Sequence, residues 1–334
     1  MLSRRAPPHP LLTAASAGDL DATRREMERL GPGPLSRAAQ DGVDPLMLAC
    51  ANGREDVVAL LARFGGFGVD RMGRNPLHYA ARYARPICMR LLVALPEASG
   101  WSRASDEQGK TPLTDALEAD SVPCARLLIP LIDLGSSPEI GRSAILSAAA
   151  YGSWRATLWL SRKLPALATP SEAFSAACGS QESECIEAFG SELAALPTGE
   201  RARLASSGLL AHCSIPFASF FGFDAWIVER LRSKDELCAR ALLALGADPA
   251  ARDAEGNAPL ALAAANNRVG AAPLLFGISP SQLAPGRRSA SRIARQRLHI
   301  PLANELARAE SSQRQARSLA RACAPTASRA SSRL

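Results

Sequence analysis

The chain has 334 residues, 47% hydrophobic and 21% charged, with a formal net charge of +7. That composition supplies ample apolar material for a core and excludes a collagen-like, low-complexity or wholly disordered chain. No apolar run approaches the roughly 18 residues of a membrane span, and prolines stand where an export signal would need its apolar stretch, so a reducing cytoplasm is the expected compartment.

The first predicted element is Leu11–Ala22, an alanine-rich apolar stretch broken by Gly18-Asp19. A G-x-x-P-L signature then recurs at Gly42–Leu46, Gly73–Leu77, Gly109–Leu113 and Gly256–Leu260, with a weaker copy at Gly141–Ile145. Most copies run on into small residues (Leu48–Ala51, Tyr79–Ala81, Ala148–Ala150, Leu262–Ala265) and then a Leu-Leu pair, as at 60–61, 91–92, 127–128, 242–243 and 274–275. Glycine supplies a turn, and proline suits the first helical position, where its missing N–H costs nothing. The small residues permit close helix packing, and the leucine pair gives a second helix its buried face. Glycine spacings of 31 (42 to 73), 36 (73 to 109) and 32 (109 to 141) define a two-helix repeat, which must stack to bury its apolar surface.

The middle of the chain departs from the period. Gly141 to Gly256 spans 115 residues, 16 more than three periods of 33. Two poor repeats are expected there, one over 171–190 and one from about Arg203 to Asp248. The surplus falls in an insertion over 214–233 holding Phe217, Phe220, Phe221, Phe223 and Trp226. An extra packed helix is the favoured reading of these aromatics, with an exposed docking patch or membrane-touching element as the alternative.

Catalytic and metal signatures are missing. His9, His78, His212 and His299 are dispersed, and the cysteines at 50, 88, 124, 178, 185, 213, 238 and 323 form no CxxC pair. Cys88 and Cys124 precede Leu-Leu pairs where an equivalent segment has Val57, which marks them as small core residues. There is no G-x-S-x-G, P-loop or dinucleotide fingerprint. No enzyme, cofactor or metal is expected; an enzyme hidden in 199–235 is the remote alternative.

Asp70-Arg-Met-Gly-Arg-Asn-Pro-Leu-His78-Tyr-Ala-Ala81, Asp106–Leu113 and Leu243-Ala-Leu-Gly-Ala-Asp248 closely resemble the ankyrin repeat. Leu11–Ala22 resembles a capping first copy, and Gly286–His299 a degenerate last one. The resemblance implies an all-α ankyrin-repeat solenoid of about nine helix-turn-helix repeats over 8–308, with 169–248 degenerate. It implies that His78 braces neighbouring backbone. It also implies a partner-binding concave face of turn tips and first helices. Carried over by position, that face holds Arg71, Met72, Arg74, Arg82 and Tyr83, then Glu107, Gln108, Lys110 and Glu118. Arg142 and Tyr151 follow, with Arg252, Glu255, Asn257 and Asn266 as later equivalents.

From Gly286 onward the sequence has eleven arginines against two glutamates, a net +9, so the rest of the chain is near −2. Arg314, Arg317 and Arg321 share one helical face, and 309–334 reads as a basic, disordered tail. The favoured function is a monomeric, non-catalytic protein-interaction scaffold. The alternatives are weak, non-specific nucleic-acid contact through the arginines, or delivery into a host cell, as for some bacterial members of the resembled family.

Overall fold

A computed structural model describes residues 9–31, 41–65, 67–180, 182–216, 225–278 and 289–322. The chain divides into two compact units, 1–193 and 194–334.

In the first unit, helices come in pairs: α1 (Pro10–Ala17) with α2 (Leu20–Leu30), α3 (Pro45–Asn52) with α4 (Glu55–Leu61), and α5 (Pro76–Arg82) with α6 (Pro86–Leu92). After the short α7 (Ala98–Trp101) come α8 (Pro112–Glu118) with α9 (Val122–Leu128), α10 (Pro138–Tyr151) with α11 (Arg155–Lys163), and α12 (Pro170–Ala177) with α13 (Ser183–Glu192). First helices pack on first helices in the order α1, α3, α5, α8, α10, α12, and second helices from α2 to α11 form a parallel row. The second unit repeats the scheme with α14 (Thr198–Ser214) and α15 (Ala225–Ala244), α16 (Pro259–Ala265) and α17 (Ala271–Ile278), and α18 (Ala290–Gln296) and α19 (Ile300–Ala322). Among the described residues this makes nine pairs plus α7, and no strand. The fold is an all-α repeat array.

Local chemistry explains the helix starts. The Asp44 side chain accepts from the Met47 N–H at 2.8 Å, ahead of Pro45. Asn75 and Thr111 head capping boxes before Pro76 and Pro112. The small residues behind them, Ala49, Ala80, Ala81, Ala116, Ala148, Ala149, Ala263 and Ala264, are fully buried, which lets neighbouring first helices touch. All seven cysteines among the described residues are buried.

A second periodic device lies between the two helices of a pair. Gly18, Gly53, Ala84, Asp120, Gly152, Asn267 and Leu298 all have positive φ at this bend. The next side chain reaches back to a carbonyl near the end of the preceding first helix: Arg54 Nε to Ser16 at 3.1 Å, Arg85 Nε to Ala51 at 3.1 Å, Ser153 Oγ to Glu118 at 2.5 Å and His299 Nε2 to Ala265 at 3.0 Å. These bonds satisfy helix-end carbonyls and tie these four repeats to the ones before them.

Two expectations need correction. Residues 309–322 are not a disordered tail but the continuation of α19, because Glu310 is buried and accepts from the N–H of Ser291 (3.0 Å) and its hydroxyl (2.7 Å). The second irregular repeat begins at Thr198, the start of α14, rather than near Arg203, and is built of long helices, 17 residues in α14 and 20 in α15. Residues 217–224, and the side chain of Trp226, lie outside the described residues, as do 323–334.

Candidate functional site

An aspartate closes each regular turn tip. Asp70 Oδ1 accepts from the N–H groups of Met72 (2.9 Å) and Arg74 (2.8 Å), and Oδ2 from Arg74 Nε and the Tyr79 hydroxyl, both at 2.7 Å. Burial works to raise the Asp70 carboxyl, but the Tyr79 and Arg74 donors outweigh it and hold the group below its ordinary range. Asp106 accepts from Gln108 and Lys110 N–H groups at 2.9 Å, and Asp253 accepts from Asn257 N–H at 2.6 Å. Gly73, Gly109 and Gly256, with φ between +75° and +81°, make the turn possible. Adjacent tips touch directly, since Glu107 N–H donates to the Met72 carbonyl at 2.9 Å.

On this frame, most charged residues singled out in the sequence of the first unit are ion-paired. Arg71 pairs with Asp41 at 3.0 Å, Arg74 with Asp70 at 2.7 Å, Arg82 with Asp115 at 3.4 Å, Lys110 with Glu118 at 2.5 Å and Arg142 with Glu172 at 2.7 Å. The Arg74 guanidinium also lies 5.3 Å from the Tyr79 ring centre, and Glu118 takes a further bond from Ser147 Oγ at 2.7 Å. Glu107 and Gln108 are exposed at their tip, and Met72 is half-buried. Tyr83 ends α5 and is 50% exposed; Tyr151 ends α10 and is 69% exposed. Between these helices lies α8, whose Lys110–Glu118 pair puts an ammonium 5.4 Å from the Tyr151 ring centre.

Asp115 sits beneath this strip. Burial, only partly offset by Arg82, pushes its carboxyl up to about 6, and its Oδ2 has no hydrogen-bond partner among the described residues.

In the second unit the corresponding residues serve the scaffold more than the surface. Arg252 Nη1 donates to the Gly256 carbonyl at 2.7 Å, Asn257 Nδ2 to Asp253 at 3.1 Å, and Asn266 Nδ2 to the Cys213 carbonyl at 3.1 Å. Glu255 is exposed. Arg314 and Arg317 project from α19, and the Arg321 side chain lies outside the described residues.

Sequence reasoning missed a buried ionic cluster here. His212 Nε2 lies 3.0 Å and Arg268 Nη1 3.2 Å from Asp235 Oδ1, with all three side chains fully buried. Asp235 Oδ2 accepts from Gly270 and Ala271 N–H groups at 2.9 Å, capping α17 from α15. Burial alone would raise the Asp235 carboxyl; the His212 bond, the Ala271 N–H and the Arg268 charge bring it below its ordinary range instead. The signal existed: Asn266-Asn267-Arg268 repeats Asn52-Gly53-Arg54, and Arg268 reaches back to the His212 carbonyl as Arg54 does to Ser16.

Burial raises the thiols, Cys88 to about 11 and Cys185 and Cys213 to about 12, so none of these three is a ready nucleophile. Among the described residues no His/Cys/Asp/Glu group is arranged to hold a metal, and no helix is long and apolar enough to cross a membrane.

Residues 11–100 match a family model described as ankyrin repeats, in three copies. Over 150 residues, 40% of this chain, the sequence is 31% identical to the human Neurogenic locus notch homolog protein 1. The Xenopus tropicalis protein of that name is 33% identical over 129 residues, 34% of this chain. In both cases the match covers 5% of the relative's length. A 90-residue stretch, 26% of this chain, is 30% identical to Tyrosine-protein kinase HTK16 of Hydra vulgaris, covering 12% of that protein.

Proposed function

We propose, from the premise that this chain is an ankyrin-repeat protein, that it is a non-catalytic scaffold whose first unit holds a protein partner on its turn tips and first helices. The observation that carries this reading is the pair of exposed tyrosines, Tyr83 and Tyr151, at the ends of α5 and α10, which both pack on α8, with Tyr151 against Lys110. Tyrosine is a favoured interface anchor because it offers large contact area for little conformational entropy. The surrounding ion pairs fix the platform before a partner arrives, which lowers the ordering cost of binding. Met72, Glu107 and Gln108 add contacts at the tips. A chain with an ample core and no CxxC pair does not depend on disulfides, which suits a reducing compartment such as the cytoplasm.

The test is to isolate a protein retained by the full chain and measure its binding to Tyr83→Ala and Tyr151→Ala variants. Loss of binding with unchanged melting supports the site. Full retention by both variants removes it.

A further inference from the structure

We propose that the projecting end of α19 is a second, independent site, a sequence-independent contact for duplex nucleic acid. Both glutamates of the basic end are occupied within the unit: Glu305 pairs with Arg232, and Glu310 is buried against Ser291. Among the described residues of this basic end, Arg292, Arg295, Arg297, Arg308, Arg314 and Arg317 are all exposed, and Glu305 and Glu310 are the acidic residues beside them. Beyond Glu310 the helix continues for residues 311–322, about 18 Å at 1.5 Å per residue. Arg314 and Arg317 lie one and two turns past Glu310, within about 40° of its direction around the helix at 100° per residue. They therefore project on the side where α19 meets the start of α18, which carries exposed Arg292 next to Ser291. Arg314 is 78% exposed and only 3.8 Å from Glu310, too long for a hydrogen bond.

The chemistry of this helix selects the partner. Residues 311–318 are Ser, Ser, Gln, Arg, Gln, Ala, Arg and Ser, nearly all exposed and without a large apolar side chain. A protein interface or a lipid surface needs an apolar anchor, and residues 311–318 offer none. Guanidinium, hydroxyl and amide groups are the donors that phosphate oxygens accept from. A bare helix of roughly 10–12 Å diameter also fits a B-form major groove about 12 Å wide. No aromatic side chain stands among these residues, so stacking on single strands is not available.

The experiment uses the full chain and a random-sequence 24-base-pair duplex, read by fluorescence anisotropy from 50 to 200 mM salt. Three phosphate contacts give a log–log slope of about −2.7, or about forty-fold weaker binding over that range. Arg314→Gln/Arg317→Gln should reduce the slope's magnitude by about 1.8 with unchanged melting. Arg24→Gln/Arg25→Gln, exposed on α2, makes the same change in net charge and should leave the slope as it was. Absence of binding at 50 mM salt would overturn the proposal. So would equal slope changes in the two double variants, or tighter binding to a polyglutamate peptide or anionic vesicles than to the duplex.

Discussion

His78 Nε2 donates to the Lys110 carbonyl oxygen 3.1 Å away, 32 residues further along the chain. The tautomer follows from the other nitrogen, which accepts the Asn75 N–H at 3.2 Å. One neutral imidazole therefore closes the start of α5 and ties it to the next turn tip. Replacing it with Ala should cost about 2 kcal/mol, one cap and one inter-repeat bond. Burial depresses the His78 pKa below 6.5, more than the Lys110 bond restores. Its contribution is thus complete above pH 6.5 and declines as pH falls toward the folded value. Denaturant titrations at pH 8 and pH 5 should show this loss in the parent and not in His78→Ala.

Asp115 has the opposite sign. Its folded carboxyl is raised from 3.8 to about 6, so the folded state takes up a proton across that window before the unfolded state does. Stability from this group is greatest below 3.8 and is lost as pH rises through 6, at up to about 1.4 kcal/mol per pH unit. Asp115→Asn should flatten the stability profile between pH 4 and pH 6. Parallel profiles for parent and variant would contradict the burial of this carboxylate against Arg82.

Asp235 is central to the second unit. It pairs with Arg268 and His212 and caps α17, so Asp235→Ala removes a carboxylate from a fully buried ionic cluster and leaves two buried N–H groups without their acceptor. A loss of about 3–5 kcal/mol is expected. Equal denaturation midpoints for variant and parent would rule out the cluster.

Much of this was legible in the sequence. The G-x-x-P-L copies marked the starts of α3, α5, α8 and α16, because glycine and proline impose turn and helix start locally. The ankyrin resemblance gave His78 its bracing role, while the turn-closing bonds of Asp70 and Asp106 emerged only in the fold. The Asp235 cluster was legible only in Arg268, whose Asn266-Asn267-Arg268 setting matches Asn52-Gly53-Arg54; His212 and Arg268 lie 23 and 33 residues from Asp235 across a repeat of irregular length. Nor did composition reveal that Tyr83 and Tyr151 are exposed while Asn266 is spent on the Cys213 carbonyl, as only packing decides this.

The chain's basic end illustrates the same limit. An Ala/Ser/Arg composition reads as disorder, yet one buried glutamate bonded to Ser291 continues the helix past it. Truncation after residue 308 should therefore lower the stability of the second unit by about 1–3 kcal/mol, whereas truncation after 318 should not. Thermal melts of the two truncations distinguish the outcomes; identical curves would show that Glu310 carries no stability.

The scaffold reading is tested most directly by the affinity of the retained protein partner for the parent and for the Tyr83→Ala/Tyr151→Ala double variant, at 50 and 200 mM salt. Loss of about thirty-fold or more at both salts is expected, equivalent to about 2 kcal/mol, with melting behaviour unchanged. An affinity within threefold of the parent would contradict a partner site on the turn tips and first helices.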